Sequence, residues 1–161
     1  MIKVTAVVAV IGVGLFVGTA LGTPASGVSA ETARAPLGEL KFHSKFANDA
    51  KVRLHTKGDV EVITQRIVAE PGATFGWHSH PGDNISVVLR GAITLYHDEA
   101  CTQGITYGPG SAFTTHPGQV HLARNEGTEQ LVLYATYLAP RTSHPLPARI
   151  DEPSPGADCP H

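Results

Sequence analysis

The chain has no excess of basic residues: 12 Lys and Arg stand against 14 Asp and Glu, a formal net charge of -2 over 161 residues. A balance of that sign does not attract a phosphate backbone, which argues against nucleic acid as a partner. Nor is there length for a second domain, which would need roughly another 100 residues. Internal repeats and low-complexity tracts are absent, and past residue 50 no stretch has the apolar period of a helix. Charged residues are sparse, at 16% against 42% hydrophobic, the balance of a chain that folds around a core rather than one that stays disordered. Cysteine is scarcer still, with Cys101 and Cys159 the only two.

What the chain has in plenty is punctuation, with 17 Gly and 12 Pro. Short apolar or β-branched runs at residues 59–68, 76–80, 84–90, 92–97, 112–115, 121–125 and 130–138 alternate with Glu70-Pro71-Gly72, Pro81-Gly82-Asp83, Tyr107-Gly108-Pro109-Gly110, Pro117-Gly118 and Glu126-Gly127. Each of these breaks joins a fixed φ or a left-handed-tolerant residue to a reversal, so the runs are expected to be strands and the breaks turns. Many strands in about 90 residues must close or stack to hide their edges, which predicts an all-β barrel or jelly roll.

Residues 1–30 differ from the rest: Lys3, an uncharged stretch over 4–21, then a run of small residues to Ala30. That is the order of a secretory signal, with cleavage expected after Val28-Ser29-Ala30 and with Ala25 and Ala35 as alternatives. An uncleaved membrane anchor is the competing reading, since 18 uncharged residues approach the length of a bilayer span. Either way the domain is expected to be exported (secreted, periplasmic or at the cell surface). The expected organisation is a signal peptide at 1–30, an N-terminal arm at 31–50, a barrel at 51–141 and a Pro-rich tail at 142–161. In an oxidising compartment Cys101 and Cys159 are expected to form a disulfide, which would pin a tail otherwise expected to be loose.

Nine His raise the question of which converge. His78 and His80 lie two apart in a strand-like run, so both imidazoles face one side, and His121 opens another strand. Two imidazoles from one strand and a third from a neighbour suit a divalent transition metal (Fe, Mn, Zn, Ni, Co or Cu) and leave coordination positions open. His43, His55, His97, His116, His144 and His161 fall in loops, arm or tail and read as solvated groups. Trp77 and Phe75 alternate with the ligand face and are expected in the opposite layer. Ile85, Val87 and Leu89 make their strand apolar on nearly every residue, so both its faces should be covered, one of them by a second subunit in a homodimer.

These residues carry a family resemblance. Gly72-x5-His78-x-His80-x3-Asn84-x6-Gly91, followed by Gly110-x5-His116-x-Gly118-x2-His121-x3-Asn125, resembles the two consecutive motifs of the cupin superfamily. The resemblance implies a double-stranded β-helix, or jelly-roll barrel, with a metal inside it held by His78, His80 and His121. Two positions depart from the family pattern: Asn84 stands where the family has a Glu ligand, and His116 stands where it has Pro. Three readings of the site follow: a three-His metal centre, a centre completed by Asp83 through a local bulge, and a metal-free barrel with core histidines.

The function expected is that of a small metal-dependent enzyme, oxygenase in type, with a non-enzymatic metal- or anion-binding module as the alternative. An ion on three neutral imidazoles keeps a charge of about +2, which predicts a small anionic ligand with Asn84 beside it as a hydrogen-bond donor. No catalytic residue is fixed by the sequence, and Tyr96, Gln65 and Arg66 are the acid–base candidates by strand position.

Overall fold

A computed structural model describes residues 22–98 and 100–155. Among them every regular element is a strand: β1 (Ser26–Leu37), β2 (Leu40–Lys45), β3 (Lys51–Thr56), β4 (Val60–Ser79), β5 (Asp83–Arg90), β6 (Ile93–Tyr96), β7 (Ile105–Tyr107), β8 (Ala112–Thr115), β9 (His121–Arg124), β10 (Leu131–Pro140) and β11 (Ile150–Asp151). All pairings are antiparallel, and the order β7-β6-β9-β4-β10-β5-β8 forms a jelly-roll barrel onto which β1 and β11 add by pairing with β4. The strands β2 and β3 form a separate hairpin.

Strand β4 organises the barrel because its two halves belong to different walls. Residues 60–69 pair with β1 and β10, whereas Thr74, Gly76, Trp77 and His78 pair with β9. Glu70-Pro71-Gly72, expected to be a turn between two strands, is a bend inside one. Gly72 takes the left-handed φ of +75° that the bend requires, and its N–H donates to the Asn125 carbonyl. The fully buried Asn125 side chain secures the bend: Nδ2 donates to the carbonyls of Ala69, Glu70 and Glu129 at 2.8–3.0 Å, while Oδ1 accepts from the Gly127 N–H. Truncating this amide orphans several buried backbone groups at about 1–3 kcal/mol each. Asn125→Ala is therefore expected to cost about 3 kcal/mol, a fall of roughly 10 °C in the thermal midpoint followed by circular dichroism.

Period-2 alternation sets the interior. Along β10 the side chains of Leu131, Leu133, Ala135, Tyr137 and Ala139 are buried, and the inward positions of β5 are Asn84, Ser86 and Val88. The outward positions Ile85, Val87 and Leu89 are exposed in the single chain, together with Tyr134 on β10, so this strand is covered on one face only.

Both ends of the domain differ from the boundaries expected. The arm at 31–50 is not a separate unit: its first residues continue β1, which starts at Ser26 and pairs along most of the first half of β4. The 30/31 boundary thus falls inside a strand. In the described part of the tail, Ala148 is buried in the core and β11 pairs with Ser79 and His78. Cys159 lies outside the described residues.

Candidate metal centre

The second half of β4 brings His78 into the barrel, with His80 just past its end, and β9 sets His121 directly opposite His78 in the register. All three are buried, and their metal-ligating atoms lie within 4.8 Å of one another. Ring centroids are 4.2 Å apart for His78 and His121, 5.0 Å for His78 and His80, and 5.2 Å for His80 and His121.

Each imidazole is held from behind by a backbone carbonyl. His78 Nδ1 meets Gly76 O at 2.8 Å, His80 Nδ1 meets Ala148 O at 2.7 Å, and His121 Nδ1 meets Gln119 O at 2.9 Å. A carbonyl only accepts, so each Nδ1 carries the proton and donates it, leaving each Nε2 with a bare lone pair. Three such lone pairs converging in a buried space are the donor set of a first-row divalent metal, so the residues present fit one. Burial is the main reason all three resist protonation. It pushes His78 well below the usual imidazole value, lowers His80 and takes His121 down to about 4, and the Arg149 cation lowers each further.

The histidines border a cavity of about 130 Å³ whose walls are chiefly apolar, with Ile67, Phe75, Ile93, Leu95, Phe113 and Leu133 among them. Its other polar groups are Gln65, Asn84, Ser86, Tyr137 and Arg149, and among the described residues no carboxylate lines it. Asn84 is buried and lines the cavity, and Ser86 Oγ donates to its Oδ1 at 3.0 Å. Tyr137 is buried beside His80 with ring centroids 5.0 Å apart, and burial raises its phenol well above the ordinary tyrosine value, so it stays a neutral hydroxyl.

Several expectations are corrected here. Phe75 is not in the layer of Trp77: it lines the cavity beside His78 because a bulge at Thr74 and Gly76 shifts the β4 alternation by one residue. Trp77 packs outside with Leu122, Tyr96 and Cys101. Asp83 does not complete the site, since it is exposed and pairs at 3.0 Å with His116, itself exposed. His97 is exposed but not remote, its ring centroid lying 5.8 Å from that of His121. Tyr96 donates to Glu126 away from the cavity, Arg66 does not line it, and Gln65 lines it while donating to Thr32 Oγ1. Sequence reasoning missed Tyr137 and Arg149. The first shares the odd positions of β10 with Leu131 and Leu133 and was open to the same alternation argument; the second sits in a tail with no pattern to read.

The depressed imidazoles make the metal-free fold sensitive to acid. An unfolded His binds a proton near pH 6.5, whereas folded His121 holds out to about 4, so between those values the unfolded state carries more protons. Stability is then unaffected above pH 6.5 and falls as the pH drops toward 4, by about 3 kcal/mol for His121 alone. Denaturant midpoints of chelator-treated protein should decline steadily from pH 7 to pH 4.5, and His121→Asn should flatten that decline.

Comparison with known proteins points to one family. Residues 65–137 match a family model described as a cupin domain. No curated protein matches the chain. Among solved structures, a cupin 2 conserved barrel domain protein from Salinispora arenicola is 25% identical over 47% of this chain and 61% of its own, with a TM-score of 0.42. A protein with a double-stranded β-helix domain from Klebsiella pneumoniae is 23% identical over 68% of this chain and 77% of its own, also at 0.42. An oxalate oxidase is 21% identical over 48% of this chain and 42% of its own, again at 0.42. The chain thus spans about three fifths of the first of these proteins and two fifths of the oxidase.

Proposed function

The chain belongs to the cupin superfamily through residues 65–137, and on that premise we propose that it holds a divalent transition-metal ion on His78, His80 and His121 and takes a small anionic molecule into the cavity beside it. The observation that carries this reading is the matched set of backbone carbonyls behind the three rings, which commits every Nε2 to the same buried point. When bound, the ion supplies Lewis acidity and, if it is iron, manganese or copper, electron exchange. The chain's own contribution is positional and electrostatic. Three neutral imidazoles cancel none of the ion's charge, Arg149, itself paired with Asp151, stands at the cavity wall, and among the described residues no carboxylate lines the cavity. Asn84 NH2 and Tyr137 OH are placed to donate to that anion. The apolar walls exclude water and limit the ligand to a few heavy atoms.

On this reading the protein is a small metal-dependent catalyst of oxygenase type. The specific observation favouring a binding module instead is that, among the described residues, no carboxylate base lines the cavity. Elemental analysis of the purified protein, followed by an oxygen-uptake screen with small carboxylates, tests both. A stoichiometric transition metal with uptake supports the catalyst, metal with anion binding and no turnover supports the module, and no metal after reconstitution overturns the metal reading. The uncharged N-terminal stretch, taken as an uncleaved anchor that keeps residues 23–30 on the barrel, leads us to place the protein outside the cytoplasm, with Cys101 and Cys159 joined. The exposed Ile85, Val87, Leu89 and Tyr134 give a second copy an apolar face to cover.

A further inference from the structure

We propose that two segments outside the family match, residues 23–30 and 146–152, belong to the metal centre, and that Arg149 is a positioning residue that holds the His80 ring through Ala148. The inference deepens the metal reading, and only the affinity arm of its test depends on that reading.

The three histidines are not held alike. His78 and His121 take their carbonyls from two residues back in their own chain, so local backbone geometry orients them. His80 takes its carbonyl from Ala148, 68 residues further on. Its orientation therefore depends on where residues 146–152 lie. The pairing that places them is the two-residue strand β11, too short to persist unaided. Arg149 supplies the missing anchor. Its Nε donates to Phe75 O at 3.0 Å, one terminal nitrogen donates to Phe75 O at 2.5 Å and to Thr23 O at 3.0 Å, and the other meets Asp151. A planar guanidinium pre-organised for several acceptors ties three strands of chain with little loss of freedom, which an ammonium cannot do.

The N-terminal segment is equally built in. Trp77 N–H donates to Thr23 Oγ1 at 2.5 Å, and Thr23 N–H donates to Glu152 O at 3.0 Å. Glu152 in turn donates its N–H to Trp77 O and accepts from Ser79 Oγ at 2.7 Å. Thr23 lies where a side chain at residue 76 would be: a Cβ on Gly76 would stand 2.1 Å from the Thr23 carbonyl oxygen. The β4 strand thus leaves open the space that this segment occupies. Ala25, Val28 and Ala30 then form part of the cavity wall. A chain lacking residues 23–30 keeps all three histidines but loses one acceptor of Arg149 and one side of the cavity.

The test reads the His80 tautomer directly by long-range nitrogen–proton NMR of the full chain, metal-free at pH 7.5, in wild type, Arg149→Met and Thr23→Val. The wild type should show His80 protonated on Nδ1. In Arg149→Met that signal should give way to a mixture of tautomers while His78 and His121 keep theirs, and Arg149→Lys should restore it only in part. Thr23→Val keeps the volume, removes one hydroxyl and should move His80 the same way by less, which serves if Arg149→Met does not fold. In parallel, cobalt(II) affinity measured by chelator competition should fall at least tenfold in Arg149→Met. An unchanged His80 tautomer in both variants, or a change shared by all three histidines, overturns the proposal. Wild type that takes up no cobalt, with His80 still responding to Arg149, would sink the metal reading and leave the positioning role standing.

Discussion

Replacing any one of His78, His80 or His121 with Ala is expected to reduce the metal content of purified protein to near zero, while His116→Ala leaves it at the wild-type level. The first three share one buried point with every Nδ1 occupied by a carbonyl, so none can offer a second nitrogen to make good the loss of a neighbour. Removing an outer partner of a metal-bound His typically costs 10–100-fold in affinity, and removing the ligand itself should exceed about 100-fold. Asn84, which lines the same cavity, offers a neutral oxygen already engaged by Ser86. His116 is exposed and bound to Asp83 on the outside of the barrel, so its removal affects one surface pair. Metal analysis by mass spectrometry, with circular dichroism melts to show that each variant is folded, gives the answer. Retention of metal by two or more of the three single variants would mean that the ion sits elsewhere.

The site was legible where chemistry follows from local periodicity. His78-x-His80 in a strand and His121 at the start of another needed only the alternation of side chains and a pairing partner, and the barrel needed only the spacing of turns. Phe75 was misplaced because one extra residue at the Thr74–Gly76 bulge inverts the parity of everything before it, and the local sign of that bulge is Gly76 alone, an isolated strand glycine with a φ of +66°. The Glu70-Pro71-Gly72 turn was misread for a related reason: the same residues that reverse a chain also bend it, and the bend is preferred because Asn125, 55 residues away, satisfies the carbonyl of Glu70. Arg149 and Ala148 were invisible because their roles exist only through long-range contacts. A Pro-rich tail advertises no pattern, although it supplies the carbonyl behind His80. The small residues around Ala30 that suggest a peptidase site also lie in β1, where they pair with β4.

The substitution that reports most on chemistry is Asn84→Glu, which should tighten metal binding and weaken the binding of small carboxylates. Asn84 stands in the register row Tyr137–Asn84–Thr115 across three neighbouring strands, with all three side chains buried. Among the described residues Thr115 Oγ1 has no hydrogen-bond partner, so the row has spare polar capacity rather than a closed network. A Glu at this position keeps an acceptor for Ser86 Oγ and adds one methylene of reach toward the histidines. With a carboxylate near a divalent ion the net local charge falls from about +2 to about +1, and at separations of about 4 Å charges of +2 and −1 attract by on the order of 8 kcal/mol for an effective dielectric near 20. That term raises metal affinity and lowers the attraction for an incoming anion, and the loss of the Asn84 amide donor adds to the second effect. Without metal the variant buries a carboxylate among three neutral imidazoles and apolar walls, where the one cation, Arg149, is already paired with Asp151, so its thermal midpoint should fall below that of wild type and recover on adding metal. Titration of both metal-loaded proteins with formate and acetate separates the outcomes: a carboxylate dissociation constant at least tenfold higher in Asn84→Glu is expected. Equal or tighter anion binding in the variant would mean that the anion does not sit beside residue 84, and that Asn84 serves the barrel as a neutral partner for Ser86 alone.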